Sequence, residues 1–185
     1  MKNWLLFLLF SLGLVGSASL VGCGYDPTGA VSQIRLSIYK TDCVDVLDAS
    51  TANGAQLQIY PCGPGKRSQE WEVEPVNEGR NFMFINANSL MCMSVASGPD
   101  SSDVAPGQYV LQVTCDQTDP DQIWSIKAAP SGESGDNIVS TASGQCLDLP
   151  YGAIASIFTL QQYYCDKNDP AQGWNINPVG KGSTP

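Results

Sequence analysis

The 185-residue chain contains no histidine, and Asp, Glu, Lys and Arg together make up only 15% of it. Without an imidazole there is no Ser-His-Asp or Cys-His catalysis, no zinc site that uses imidazole and no histidine pH switch. Basic residues are scarce: 9 Lys and Arg face 18 Asp and Glu, a net charge of −9. The sequence pI of about 4.2 argues against binding a phosphate backbone, so nucleic acid is not an expected partner. Low charge with 43% hydrophobic residues argues against intrinsic disorder. Sustained 3.6-residue apolar periodicity is also missing beyond the amino-terminal stretch. The length fits one domain with a real core. Cysteine is present in an odd number, seven, so one thiol must be used differently from the other six.

The first 22 residues read as a targeting signal. Lys2 is their only charge, Trp4 to Val15 form a dense apolar run, and Gly16, Ser17, Ala18 and Ser19 follow. A positive tip, an apolar middle and a small-residue end describe a secretory signal peptide. A transmembrane helix is the alternative, since 19 residues from Trp4 to Gly22 could just cross a bilayer. Fading hydrophobicity after Val15 and the lack of a basic stop weigh against it. Leu20-Val21-Gly22-Cys23 resembles a bacterial lipobox, in which the signal is cut before a cysteine that is then lipidated. The alternative for Cys23 is a free or intermolecular thiol behind an ordinary cleavage site. Acyl chains contribute about 0.8 kcal/mol per buried methylene, enough for several chains to hold a small domain on a membrane. Gly24 after the cysteine, rather than Asp, implies outer-membrane sorting by the same resemblance.

The other six cysteines carry an internal repeat. Taken as consecutive pairs, Cys43 and Cys62, Cys92 and Cys115, and Cys146 and Cys165 are separated by 19, 23 and 19 residues. Trp71, Trp124 and Trp174 each lie nine residues after the second cysteine of a pair, and each has a glutamine two residues before it. Successive tryptophans are 53 and 50 residues apart. A period of about 50 residues decides architecture before local propensity does. Export favours disulfides. Six cysteines allow about 15 pairings, and one bridge per repeat treats the three units alike. Closing loops of this size contributes on the order of 3 kcal/mol each in the chain-entropy model.

Within each unit the pattern is strand-like. Ile34, Leu36 and Ile38 alternate before the first cysteine, Leu57 and Ile59 and, in the second unit, Val110 and Val113 flank the second, and Phe82, Phe84 and Ile138-Val139 open the later units. Turn formers separate them: Asn53-Gly54, Gly63-Pro64-Gly65, Ser97-Gly98-Pro99, Asp119-Pro120, Ser143-Gly144 and Asp169-Pro170. The fold class is all-β.

These motifs resemble the ricin B-type lectin family, whose fold is a β-trefoil. The family repeat runs Cys-x-Asp-x, then Gln-x-aromatic-x-Cys, then Gln-x-Trp. Repeat one has Cys43-Val44-Asp45-Val46, Gln58-Ile59-Tyr60-Pro61-Cys62 and Gln69-Glu70-Trp71. Repeat three has Cys146-Leu147-Asp148-Leu149, Gln161-Gln162-Tyr163-Tyr164-Cys165 and Gln172-Gly173-Trp174. The resemblance implies a domain over residues 31–180, with repeats near 31–78, 79–131 and 132–180. The signal (1–22), a lipidated cysteine with a short linker (23–30) and a tail (181–185) flank it. Trp71, Trp124 and Trp174 are expected to be structural, filling a small barrel's core.

A sugar site needs carboxylate and amide groups for paired hydroxyls and an aromatic face for the apolar side of the ring. By resemblance, the Asp after the first cysteine supplies the carboxylate and the aromatic two before the second cysteine stacks. A polar residue, usually Asn, precedes the Gln-x-Trp glutamine. Repeat one offers Asp45, Gln58, Tyr60 and Gln69, with Ser68 at the Asn position, and is the first choice. Repeat three offers Asp148, Gln161, Tyr163 and Gln172, with Ala171 at the Asn position, and is the second. Repeat two has Ser94, Leu111 and Val113 at the key positions, with Gln122 preserved and Asp121 before it, and is expected not to bind. The two aspartates could equally anchor turns, and the tyrosines could be ordinary strand aromatics. Lys66-Arg67 reads as a solvated basic turn, and the Asp116-x-x-Asp119-Pro120 and Asp166-x-x-Asp169-Pro170 repeats as turns rather than calcium sites.

The resemblance therefore implies a non-catalytic, membrane-anchored lectin that binds galactose-like glycans, with no cofactor and no metal. The alternative is a protein-interaction trefoil, a subunit of a surface complex or toxin assembly, that has lost sugar binding. An enzyme could use paired carboxylates without histidine, but the trefoil occupies the whole mature chain.

Overall fold

The computed structural model describes residues 30–96, 105–128, 135–150 and 158–179. The signal segment, Cys23, the turn at 97–99, the stretch 131–134 and the tail 181–185 lie outside them. Among the described residues the regular structure is thirteen strands, linked by three-residue 3-10 turns. Repeat one supplies β1 (Val31–Leu36), β2 (Asp42–Val46), β3 (Leu57–Pro61) and β4 (Trp71–Val76). Repeat two supplies β5 (Asn81–Asn86), β6 (Cys92–Val95), β7 (Val110–Val113) and β8 (Trp124–Ala128). Repeat three supplies β9 (Asp136–Ser140), β10 (Cys146–Asp148), β11 (Phe158–Thr159), β12 (Gln161–Tyr163) and β13 (Trp174–Pro178).

Six of these strands close into a barrel. β1 pairs with β4, β4 with β5, β5 with β8, β8 with β9, β9 with β13, and β13 with β1, all antiparallel. Closure leaves no edge among the six, which removes the unpaired backbone that invites aggregation. The other strands form three hairpins: β2 with β3, β6 with β7, and β10 with β12. The extra strand of repeat three arises at Leu160. Its N–H donates to the Leu57 carbonyl at 2.8 Å, and its carbonyl accepts from Val110 N–H at 2.9 Å. Both backbone groups of Leu160 thus serve the other two repeats, and the strand splits into β11 and β12. Leu57, Val110 and Leu160 are buried equivalents that meet around the pseudo-threefold axis. The molecule is a β-trefoil of three repeats, as the periodicity of cysteine and tryptophan implies.

The repeating tryptophans join barrel to hairpin. Trp71, Trp124 and Trp174 open β4, β8 and β13 and are fully buried. Their indole N–H groups donate to the carbonyls of Val44, Met93 and Leu147 at 3.1, 3.1 and 2.9 Å. Each acceptor is the residue after a repeat's first cysteine. Burying a tryptophan removes about 200 Å² from water, a gross gain of about 5 kcal/mol before entropy. Around them pack Ile34, Leu36, Val46, Phe84, Ile138 and Leu149.

One disulfide staples the hairpin of each repeat: Cys43–Cys62, Cys92–Cys115 and Cys146–Cys165. At the entry to β9, Gly135 has φ +91°, and a Cβ there would lie 2.7 Å from the Trp174 amide nitrogen and 2.8 Å from Ser37 Cβ. Only glycine tolerates both that dihedral and that approach.

Candidate functional site

The glutamines before the tryptophans hold the loops on which the candidate sites are built. In each repeat the side-chain oxygen of Gln69, Gln122 or Gln172 accepts from the amide just after the second cysteine: Gly63, Asp116 and Asp166, at 2.9, 2.9 and 3.0 Å. The side-chain nitrogen donates to the carbonyl just before that cysteine, on Pro61, Thr114 and Tyr164. Each glutamine is buried, and its amide replaces water for backbone groups that would otherwise be costly to leave unpaired. The second N–H of the amide separates the repeats. Gln69 and Gln172 give it to Asp45 Oδ2 and Asp148 Oδ1, at 3.4 and 3.1 Å. In repeat two, where Ser94 replaces the aspartate, Gln122 gives it to Asp119 Oδ2 at 3.0 Å.

Repeat three presents a cleft of about 870 Å³. Asp148, Gln161 and Tyr163 line it, with Asp169 and Pro170 on one wall and Phe158 on another. Gln161 Nε2 donates to Asp148 Oδ2 at 2.6 Å, and Gln172 occupies the other carboxylate oxygen. The buried carboxylate is thereby locked in one orientation with lone pairs to spare. Burial pushes the Asp148 pKa up, Asp169 nearby adds to the rise, and the two glutamine amides partly oppose it. Tyr163 is 44% exposed, and its ring meets that of Tyr164 in a T-shaped contact, 5.6 Å between centroids, so the part still exposed can cover an apolar surface. Gln172 lies beneath this layer, as a support.

Repeat one places Asp45, Gln58 and Tyr60 on paired strands, with Asp45 directly opposite Gln58. Asp45 Oδ1 and Gln58 Oε1 are buried and have no hydrogen-bond partner. Two unmet acceptors side by side are suited to hydroxyl donors. The recess beside Asp45 is smaller, about 450 Å³, and is lined by Ala49, Lys66, Arg67, Ser68 and Asn88. Tyr60 is not among its walls, and Lys66 Nζ lies 4.7 Å from the centroid of the Tyr60 ring. The basic pair is therefore not simply solvated. Lys66 covers the aromatic face by a cation–π contact, and Arg67 donates to the Ala87 carbonyl at 2.7 Å.

Repeat two has a shallow recess of about 440 Å³ at Ser94, Leu111 and Val113, with neither a carboxylate at the Ser94 position nor an aromatic ring. The Asn positions of the motif are both buried. Ser68 lies at the edge of the repeat-one recess, while Ala171 belongs to the core. The acidic turns act as turns. Asp116 and Asp166 accept from the amides of Thr118 and Asn168 at 2.8 and 2.9 Å, and the Thr118 bonds draw the Asp116 pKa down. Asp119 and Asp169 cap the 3-10 turns that follow, accepting from Asp121 and Ala171 amides.

Two residues escaped sequence reasoning. Gln112 and Gln162 are buried and grip the loop of the preceding repeat. Gln112 Nε2 donates to the Ser50 and Ala52 carbonyls, and Gln162 Nε2 to the Ala105 carbonyl and Gln108 Oε1. Their common signal is position, three residues before the second cysteine in repeats two and three. Repeat one has Ile59 there and breaks the pattern.

Residues 28–124 match the ricin-type beta-trefoil lectin domain family, and residues 120–184 match a ricin-type beta-trefoil lectin domain-like family. No curated protein matches the sequence. Among solved structures, a designed threefold-symmetric protein, ThreeFoil, superposes with a TM-score of 0.71 at 19% identity, over 80% of this chain and 99% of that one. The Rhizoctonia solani agglutinin gives 0.67 at 18% identity, over 82% and 96%. The cytolethal distending toxin of Actinobacillus actinomycetemcomitans gives 0.64 at 18% identity, over 87% and 99%. At such identities the likenesses show a shared fold.

Proposed function

The chain belongs to the ricin-type β-trefoil lectin family, and from that premise we propose that it binds glycans without changing them, chiefly through repeat three. Membership supports carbohydrate binding in general, and the family is typically non-catalytic. The carrying observation is the repeat-three cleft, where the fixed Asp148–Gln161 pair and the part-exposed Tyr163 converge. Carboxylate and amide take neighbouring hydroxyls, and the ring covers the apolar C–H side of a pyranose. Galactose-like sugars, with such a face beside adjacent hydroxyls, are the proposed class. Repeat one is a secondary site. Its open acceptors at Asp45 and Gln58 support binding, and Lys66 over Tyr60 opposes stacking. The order of the two repeats thus differs from the one the motifs alone favour, because the covering lysine lies outside the motif.

Glycan-array screening and calorimetry on the purified full chain test this reading. Asp45→Ala combined with Asp148→Ala is expected to abolish binding while the protein remains folded. A folded wild-type protein that binds no glycan contradicts it.

We further propose that the domain is displayed on a bacterial envelope through lipidated Cys23, probing glycans at modest single-site affinity raised by avidity. Cys23→Ser is expected to release the protein from the membrane fraction. A second reading is a protein-binding trefoil within a surface complex. The covered Tyr60 and the core placement of Ala171 favour it. Stoichiometric capture of a protein partner that survives loss of Asp45 and Asp148 distinguishes it.

A further inference from the structure

The repeat-two and repeat-three recesses occupy equivalent places, yet the repeat-three cleft is about 870 Å³ against about 440 Å³, while the recess beside Asp45 in repeat one lies toward Ala49 and Asn88 instead. Part of the wall of the repeat-three cleft comes from the neighbouring repeat, through Gly107 and Tyr109. Each repeat donates one residue to such a junction, and the backbone pairing identifies it. Thr159 pairs with Gln58 beside the repeat-one site, Gln56 with Leu111 beside repeat two, and Tyr109 with Gln161 beside repeat three. The junction residue is therefore aromatic at one site alone, the site with the cleft of about 870 Å³.

Tyr109 is 50% exposed and belongs to neither core cluster. Its ring is not needed to fill the interior. Its backbone is nevertheless held firmly against repeat three. Gly107 N–H donates to the Gln162 carbonyl and Gln162 N–H to the Gln108 carbonyl, both at 2.8 Å. Val110 N–H donates to the Leu160 carbonyl at 2.9 Å. The buried Gln162 side chain adds bonds at 3.0 Å to the Ala105 carbonyl and Gln108 Oε1. An exposed aromatic pinned on both sides is a preorganised platform, and preorganisation lowers the entropic cost of binding.

We propose that the repeat-three cleft has two subsites and takes a disaccharide or longer glycan. One sugar lies at Asp148, Gln161 and Tyr163, and the next unit rests against Tyr109. The inference rests on the sugar-binding reading of this cleft and adds the length of the ligand and a specificity residue from another repeat.

The test is calorimetric titration of the full chain with methyl β-galactoside and with a panel of galactose-terminated disaccharides of differing linkage. At least one disaccharide is expected to bind about tenfold more tightly than the monosaccharide. Tyr109→Ala, and Tyr109→Gln copied from Gln56 at the repeat-two junction, should remove that gain and leave monosaccharide affinity within about twofold. Tyr109→Phe should keep it. Monosaccharide binding with no gain from any disaccharide overturns the second subsite and leaves the first intact. Equal loss for both ligands in Tyr109→Ala, with Tyr109→Gln behaving the same, also overturns it. No binding of either ligand class by folded wild-type protein overturns the sugar reading and the proposal with it.

Discussion

Lys66 Nζ sits over the ring of Tyr60, 4.7 Å from its centroid. Lys66 is also the N-cap of a 3-10 turn, with φ −77° and ψ 92° and no side-chain cap bond. Its equivalents, Asp119 and Asp169, have similar dihedrals and do cap their turns. Lys66→Asp should therefore uncover Tyr60 and restore a cap. Loss of a cation–π contact costs about 0.5–1 kcal/mol, and a new cap contributes a similar amount. The thermal midpoint should barely move, while calorimetry should show repeat one binding about 3- to 10-fold more tightly. Unchanged or weaker binding at repeat one would show that the lysine does not obstruct it.

Leu90 occupies a left-handed conformation, φ 60°, and is 49% exposed. Its equivalent in repeat three is Gly144, φ 71°. The hydrogen bonds match: Leu90 N–H donates to the Asn86 carbonyl and Gly144 N–H to the Ser140 carbonyl, both at 2.9 Å. A side chain in this region costs about 1–2 kcal/mol, partly offset by the greater unfolded-state freedom of glycine. Leu90→Gly should stabilise the protein by about 0.5–1 kcal/mol in denaturant titration without affecting sugar affinity.

The fold was legible because its determinants repeat. Three cysteine pairs and three Gln-x-Trp triplets mark the same chemical requirement three times, and coincidence cannot copy that spacing. The glutamines were legible as supports for the same reason. What was hidden depends on contacts between repeats or outside the motifs. Nothing local distinguishes Lys66 from a solvated turn residue, since its role comes from Tyr60 on the adjoining strand. Tyr109 lies in a repeat that has lost its own site, so motif reading passes over it. Its importance appears only where its strand meets Gln161 of the next repeat.

The equivalence of the three indole bonds predicts equal energetics. Trp71→Phe, Trp124→Phe and Trp174→Phe each leave one buried carbonyl unpaired and a small void. An orphaned buried acceptor costs about 1–3 kcal/mol, and the void adds to it. Each variant should lose about 2–4 kcal/mol by denaturant unfolding, the three agreeing within about 1 kcal/mol. One tryptophan that tolerates the change would mark its repeat as dispensable to the core.

Sugar hydroxyls donate to an ionised Asp148, whose pKa burial and Asp169 hold above the ordinary 3.8. A raised folded-state pKa means that the contribution of this carboxyl to stability is full below 3.8. It is lost as pH rises through the shifted value. Binding runs the other way. Affinity should fall as pH drops through the shifted value, and binding in that window should release protons. Titration calorimetry in two buffers of differing ionisation enthalpy reads the release. Proton uptake, or affinity that rises on acidification, would remove Asp148 as the ionised acceptor.

Repeat three is expected to carry most of the binding, and single variants of the two carboxylates decide it. Calorimetry should be run on wild type, Asp148→Ala and Asp45→Ala with the tightest-binding glycan, each variant first shown to be folded by its thermal transition. Asp148→Ala is expected to weaken binding at least 30-fold, about 2 kcal/mol for a lost charge-assisted bond. Asp45→Ala should leave the dominant affinity within about twofold. The opposite pattern, with Asp45→Ala abolishing binding and Asp148→Ala sparing it, would contradict the account.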